Sequence, residues 1–199
     1  MLEVFRVIVK AFFGIFYRVN IKGLENVPDS GGAVLCSNHI GELDMFVIGY
    51  RIKRLVHWMA KEELFRIPIL TPFIKWLGAF PVKRGKADVE AIKTAIRLVR
   101  EGNIVGIFPE GTRMKNKKNK KPKVSRSALM IAEKCDVPVI PVAIKTTHNN
   151  YRIFSRINVV FGTPIDIKIE KQKNTESAGK ADEIGINIID KIYSLMEEK

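Results

Sequence analysis

The chain has 199 residues, of which 46% are apolar and 28% charged, so it is long enough for one domain with its own core and too short for two. This composition excludes a small fold that depends on disulfides, and the widely separated Cys36 and Cys135 are expected to be buried, reduced thiols in a cytosolic compartment. The net charge is +13, and residues 1–165 alone carry +15, which favours an anionic partner: nucleic acid, phospholipid head groups, a phosphorylated substrate or an acidic protein.

The first predicted element is a helix over residues 1–18. The stretch MLEVFRVIVKAFFGIFYRV is almost wholly apolar, but Glu3, Arg6 and Lys10 recur at steps of three and four and form one narrow polar stripe. The central lysine disfavours a transmembrane span, and the stretch lacks the cleavage site of a signal peptide. We expect an amphipathic helix that lies in the membrane interface, with a helix packed into the core as the alternative.

The rest of the chain alternates between strand and helix patterns. Strands are predicted within RVNIKG, AVLCSN, LVHWMAK, NIVGIF, VIPVAI and INVVF. Helices are predicted at 45–51, twice within 62–84 around the breaks at Pro68 and Pro72, and within 88–102, 126–138 and 177–198. This alternation predicts an α/β fold, a layered single domain with a largely parallel central sheet flanked by helices.

Three polar segments follow predicted strands or apolar segments: Asn38–His39–x4–Asp44, FPVKR at 80–84 and FPEGTR at 108–113. Loops at the carboxyl ends of parallel strands gather in one crevice, so these segments are expected to be neighbours. On one continuous helix, side chains five residues apart would point about 140° away from each other. We therefore expect the chain to turn at Gly41, with His39 before a helix and Asp44 inside it, so that the imidazole and the carboxylate pair. The start of that helix would also offer free N–H groups to an oxyanion.

These segments resemble the lysophosphatidic acid and glycerol-3-phosphate acyltransferase family. GLENVP…AVLCSNHIGELD, MAKEELFRIPILTPFIKWLGAFPVKR, FPEGTR and VPVIPVAI match its four sequence blocks in order, over residues 20 to 165. The resemblance implies that His39 and Asp44 are catalytic. It also implies that the phosphorylated acceptor is bound by Lys83, Arg84, Glu110, Gly111, Thr112 and Arg113.

The activity implied by this resemblance is that of an O-acyltransferase in phospholipid synthesis. A fatty acyl chain would pass from a thioester, on acyl carrier protein or coenzyme A, to the free hydroxyl of 1-acyl-sn-glycerol-3-phosphate and give phosphatidic acid. The thioester is then a co-substrate, and no cofactor or metal is expected. On this interpretation residues 19–199 form the acyltransferase domain, and the protein is peripheral on the cytoplasmic face of the cell membrane.

The chemistry of the residues agrees with that role. The attacking hydroxyl must lose its proton, and an ordinary imidazole has a pKa of about 6.5, which suits a base at cytosolic pH. A carboxylate on the other ring nitrogen would set the tautomer and stabilise the imidazolium. Arg113 would hold the acceptor phosphate in a bidentate contact, with Arg84 or Lys83 as a second contact. Glu110 would orient an arginine or the acceptor's polar groups.

Other interpretations remain open. The acceptor could be glycerol-3-phosphate or another lyso-lipid, or the chain could be a non-catalytic basic protein on membranes. We expect no nucleic acid, because no aromatic residues are interleaved on a basic strand. A metal site at His39, Glu42, Asp44 and Glu110 lacks an HExxH pattern. The lysine-rich segment 115–123 is expected to be a solvated loop, or else a patch for anionic lipid or acyl carrier protein. Two positions depart from the family pattern: Gly41, where a small hydroxyl residue is usual, and Ser127, where glycine is common.

Overall fold

The computed structural model describes residues 2–83, 88–110, 127–147, 149–170 and 181–197, without the side chains of 181–187. The described helices are α1 (Leu2–Phe16), α2 (Asp44–Gly49), α3 (Leu70–Trp76), α4 (Val89–Arg100), α5 (Ser127–Cys135) and α6 (Ala181–Glu197). The strands are β1 (Arg18–Lys22), β2 (Ala33–Ser37), β3 (Val56–Lys61), β4 (Phe80–Val82), β5 (Ile104–Ile107), β6 (Val139–Thr146) and β7 (Arg156–Phe161). Single 3₁₀ turns lie at Leu24–Asn26 and Glu62–Arg66.

The described strands form one sheet in the order β1-β7-β6-β2-β5-β3-β4. Strands β2 to β6 run parallel, β7 is antiparallel to β6, and β1 is parallel to β7. Strands β2 and β5 are buried along their whole length, as a parallel sheet covered on both faces requires. The predicted α/β class with a largely parallel central sheet is therefore confirmed.

Strand β4 was missed by the sequence analysis, which assigned only helices to residues 62–84. Helix α3 ends before Gly78, whose φ of +78° lies in the left-handed region that favours glycine. The chain then pairs Phe80 with Met59 on β3. A three-residue strand that contains a proline carries little pattern of its own, so its pairing with β3 decides its conformation.

Two hydrophobic layers cover the sheet. One contains the inner side chains of α4, α5 and α6, such as Ala95, Ile131 and Ile192. The other contains Phe13 of α1 together with Val47 and Ile48 of α2. Helices α1 and α2 therefore pack on the same face of the sheet, and α4, α5 and α6 pack on the opposite face.

Helix α1 is apolar on two sides. Phe13 is only 1% exposed and packs into the core, whereas Val4, Val7, Ile8 and Ile15 are 60–66% exposed. The inner side of α1 is thus packed into the core, as the alternative prediction has it. The outer side is an exposed apolar face. Within the described ranges, no helix is both long and apolar enough to cross a bilayer. The predicted boundary at residue 18 stays a prediction.

A glycine in β5 makes room for a tryptophan. A Cβ at Gly106 would lie 2.4 Å from Cε3 of Trp58, which is buried on the neighbouring strand β3. The Trp58 ring stacks on Phe108, with 4.9 Å between ring centroids. Gly106 therefore sets the depth at which Trp58 and Phe108 lie.

We predict that Gly106→Ala lowers the free energy of unfolding by about 1–3 kcal/mol, because the new methyl group forces the indole ring to shift in a packed core. Thermal unfolding followed by circular dichroism measures the effect. Gly14→Ala on α1 is the matched control, since, apart from its chain neighbours and the backbone of its own helix, no atom of the described residues lies within 4 Å of its Cβ position. Its melting temperature should stay equal or rise slightly. A Gly106→Ala variant as stable as the unsubstituted protein would contradict the packing described.

Candidate active site

His39 and Asp44 form a buried pair at the carboxyl end of β2. The strand ends at Ser37, the chain turns over residues 38–43, and α2 begins at Asp44. Nδ1 of His39 lies 2.6 Å from Oδ2 of Asp44. The backbone N–H groups of Ile40 and Gly41 donate to the same oxygen at 2.7 and 3.0 Å. The predicted turn at Gly41 and the predicted pairing are confirmed.

Asp44 is fully buried, with 0% exposure, and its second oxygen is also bonded. The hydroxyl of Tyr151, from the segment between β6 and β7, donates to Oδ1. With three donors on Oδ2 and one on Oδ1, hydrogen bonds compensate the carboxylate for the loss of water. When the neutral His39 ring donates its Nδ1–H to Asp44, its Nε2 is the acceptor nitrogen.

Asn38 fixes the point at which the chain leaves β2. Its amide nitrogen donates to the carbonyl of Ile144 at 2.9 Å, and its oxygen accepts from the N–H of Ile144 at 2.7 Å. The side chain thereby continues the hydrogen bonding between β2 and β6 beyond the last paired residues. No local pattern in the sequence indicates this role of Asn38, because its partner lies 106 residues away.

The imidazole of His39 is the first of three stacked aromatic rings. The imidazole of His39 lies on Phe108, with 4.2 Å between centroids and 20° between planes, and Phe108 lies on Trp58. Phe108 is the first residue of FPEGTR, and it follows β5 directly. The expected proximity of the first and third sequence blocks is therefore confirmed.

Glu110, in the same block, is a partly buried carboxylate next to this pair. Its Oε1 accepts a hydrogen bond from the Tyr193 hydroxyl of α6 at 3.0 Å. Burial raises the pKa of Glu110, an effect that the Tyr193 hydrogen bond and His39 partly oppose. Within the described part of the chain, its Oε2 is buried without a hydrogen-bond partner. Beneath the site, burial and the charge of Glu110 raise the pKa of the Cys36 thiol to about 12.

Of the other predicted site residues, only Lys83 is among the residues that the structure describes. Lys83 follows β4 at the edge of the sheet, where its backbone N–H donates to Asp88 at 2.7 Å and its side chain is exposed. Arg84, Gly111, Thr112, Arg113 and the lysine-rich segment 115–123 lie outside the described residues. Where the structure is described, no three His, Cys, Asp or Glu side chains are grouped as a metal site requires.

The chain is similar to known acyltransferases in sequence and in fold. The family model described as "Acyltransferase" matches residues 18–145. A 1-acyl-sn-glycerol-3-phosphate acyltransferase of Bacillus subtilis is 34% identical over 150 residues, which are 74% of this chain and 73% of the relative. A chloroplastic 1-acyl-sn-glycerol-3-phosphate acyltransferase of Arabidopsis thaliana is 33% identical over 66% of this chain, but only 37% of the relative is covered.

A solved structure is also similar. The crystal structure of the 1-acyl-sn-glycerophosphate (LPA) acyltransferase PlsC from Thermotoga maritima matches with a TM-score of 0.74 and 27% identity. The match covers 98% of this chain and 77% of that chain. The likeness thus extends over nearly all of the chain.

We predict that Glu110→Gln makes stability less dependent on pH. Because the folded pKa of Glu110 is raised above its ordinary value of 4.5, this group favours the folded state below that pH, and the contribution is lost as pH rises through the folded pKa. Glutamine keeps an acceptor for Tyr193 and carries no charge. The melting temperature of the variant should therefore exceed that of the unsubstituted protein at pH 8 and match it near pH 4.

Glu90→Gln is the control, since Glu90 is an exposed carboxylate on α4 paired with Lys93. It should not reproduce the gain at pH 8. An equal difference between Glu110→Gln and the unsubstituted protein at both pH values would contradict the burial of a titrating carboxylate.

Proposed function

This chain belongs to the Acyltransferase family, and we propose that it acylates the free hydroxyl of 1-acyl-sn-glycerol-3-phosphate to give phosphatidic acid. The acceptor is proposed from relatives at 28–34% identity whose names specify it. The observation that carries the proposal is the buried His39–Asp44 pair, which leaves Nε2 of the imidazole as a base. The acyl donor is a thioester, of acyl carrier protein or coenzyme A.

In the proposed reaction the acceptor hydroxyl is the nucleophile. Nε2 of His39 takes its proton as the oxygen attacks the thioester carbonyl, and Asp44 stabilises the imidazolium that forms. The tetrahedral intermediate then collapses, the carbon–sulfur bond breaks, and the departing thiolate takes the proton back from His39. The amides of Ile40 and Gly41 are bonded to Asp44, so the oxyanion needs donors other than these two.

The acceptor phosphate is proposed to lie on the Glu110 side of His39. Arg113 and Arg84 are assigned to it from the family resemblance, with Lys83 as a further contact. Among the described residues, Oε2 of Glu110 has no hydrogen-bond partner, which supports this arrangement. A buried carboxylate oxygen next to His39 suits an arginine, or a hydroxyl of the lipid acceptor, as its hydrogen-bond donor.

An apolar cavity supports the proposal that the protein binds an acyl chain. It lies between α1, α2, α3 and β3 and has a volume of about 90 Å³. Trp58 lines it and belongs to the same ring stack as His39. A cavity of this size holds only part of a long acyl chain, and the rest is proposed to extend along the neighbouring apolar surface.

We place the protein peripherally on the cytoplasmic face of the cell membrane. The outer face of α1 is apolar, and the exposed Ile153 and Phe154 lie beside its end, where the N–H of Phe154 donates to the carbonyl of Phe16 at 2.6 Å. Lys10 and Arg51 line a groove along the flank of α1 and can contact anionic head groups. Such a surface suits an enzyme whose acceptor is held in a bilayer.

We predict that His39→Ala lowers acyl transfer by about 10²–10⁴-fold because the general base is lost. Transfer of a labelled acyl chain to 1-acyl-sn-glycerol-3-phosphate in vesicles measures this, with acyl-carrier-protein and acyl-CoA donors both offered. The matched control is His57→Gln, since His57 lies on β3 and bonds to the carbonyl of Gly78. Its activity should stay within twofold of the unsubstituted protein. Full activity in a folded His39→Ala variant would refute the mechanism.

We predict that Val7→Glu/Ile15→Glu lowers binding to vesicles containing phosphatidylglycerol at least tenfold, because each charge replaces an exposed apolar side chain that would enter the interface. Vesicle flotation measures the bound fraction, and circular dichroism checks the fold. Val89→Glu replaces an equally exposed valine of α4, on the other face of the sheet, and should bind normally. Unchanged flotation of the double variant would refute α1 as the membrane contact.

A further inference from the structure

Tyr151 is the residue on which this inference depends. It lies in the segment between β6 and β7, 107 residues from Asp44 along the chain, and its hydroxyl donates to Oδ1 of that carboxylate. We propose that Tyr151 is a positioning residue of acyl transfer: it anchors the Asp44 oxygen remote from His39, so that the other oxygen stays directed at Nδ1. The proposal rests on the proposed function, in which His39 is the base.

The two carboxylate oxygens have different partners. Oδ2 accepts hydrogen bonds from His39 and from the amides of Ile40 and Gly41, all of which lie in the turn before α2. Oδ1 accepts a hydrogen bond from Tyr151, which lies in a distant part of the chain. Rotation about the Cβ–Cγ bond moves both oxygens, so donors at both oxygens restrain the plane of the carboxylate more strongly than donors at one oxygen alone. A fixed plane keeps the imidazole aligned for proton transfer.

The phenol remains a donor at neutral pH. Burial raises the pKa of Tyr151, and the adjacent Asp44 charge raises it further. The hydroxyl therefore does not ionise in the range in which an imidazole titrates. The contact is a hydrogen bond from a neutral group to an anion, the stronger class of hydrogen bond.

The space for this ring exists because residue 41 is glycine. A Cβ at Gly41 would lie 3.1 and 3.2 Å from Cδ2 and Cε2 of Tyr151, closer than ordinary contact. On another side, Tyr17 meets the ring edge-on, with 6.2 Å between centroids. The ring is thus confined between the turn that carries His39 and the end of α1. Its hydroxyl position is set by packing as well as by the hydrogen bond.

Other titratable groups lie near the pair. Among the described residues these groups are Glu110 after β5, Cys36 on β2, Tyr17 after α1, the exposed Glu42 in the turn itself, and Tyr193 on α6 through its bond to Glu110. All of these residues are kept in a Tyr151→Phe variant. A difference between that variant and the unsubstituted protein is therefore attributed to the hydroxyl.

Tyr151→Phe keeps the ring and deletes the donor. We expect kcat to fall about tenfold, since a charge-assisted hydrogen bond that holds the carboxylate is lost. The acceptor KM should stay within twofold, because Tyr151 acts through Asp44 and not on the acceptor. The acid limb of kcat/KM should move to higher pH, because a carboxylate that no longer shares its charge with a phenol attracts the imidazolium more strongly.

The protonation of His39 can also be measured without catalysis, by ¹⁵N-histidine NMR. The midpoint of that titration should move in the same direction as the acid limb. Gly41→Ala should also lower kcat, and in combination with Tyr151→Phe the two losses should not add. Tyr17→Phe is the matched control and should leave kcat and the pH profile unchanged.

These experiments distinguish failure of the positioning role from failure of the proposed function. An unchanged kcat and an unchanged His39 titration in Tyr151→Phe would overturn the positioning role, as would equal losses in Tyr17→Phe. No transfer by the unsubstituted protein to any lyso-lipid or glycerol-3-phosphate would refute the proposed function instead. A shifted His39 titration in Tyr151→Phe would still support the hydrogen bond as the device that orients the pair.

Discussion

The burial of the Asp44 carboxylate is the constraint around which this part of the structure is arranged. A charge removed from water costs several kcal/mol unless donors replace the lost hydration. Here the donors come from three places: the imidazole of His39, the backbone of the turn at 40–41, and the hydroxyl of Tyr151. The turn cannot open without uncovering the carboxylate. The same hydrogen bonds that make burial possible therefore also hold the imidazole in one orientation.

The sheet supplies the rest of the geometry. Parallel pairing of β2 with β5 brings His39 and Phe108 to the same edge, where their rings stack. The carboxylate of Glu110 then lies close enough to influence both His39 and the Cys36 thiol. On the other side of β2, Asn38 extends the pairing with β6 and so fixes the start of the turn. The imidazole of His39 is held from both neighbouring strands, which is the rigid setting that the proposed proton transfer requires.

The parts of the site that could be predicted from sequence are those with a local or strand-end signal. His39 and Asp44 lie five residues apart around a glycine, and Glu110 follows an apolar strand, so the turn and the parallel-sheet rule predict that they are neighbours. Their roles are implied by the family resemblance. Tyr151, Tyr193 and Ile144 could not be found in this way, because their partners are 83 to 107 residues distant and no periodic pattern marks them. The absence of a side chain at Gly41 was visible in the sequence as a departure from the family pattern. Its consequence, the space for Tyr151, required the fold.

The segment between β6 and β7 connects the chemistry with the surface. Three residues after Tyr151, Phe154 is 72% exposed beside the end of α1 and has a φ of +64°, a conformation that costs an aromatic residue about 1–3 kcal/mol. The bond from its N–H to the Phe16 carbonyl helps to hold that conformation. Since α1 and α2 pack on the same face of the sheet, the exposed apolar side chains and the buried carboxylate are joined by one short, constrained stretch of chain. An acceptor anchored in a bilayer would need to reach His39 while its acyl chain stays in lipid. The segment that carries Tyr151 and Phe154 links the proposed base with an apolar surface of this kind.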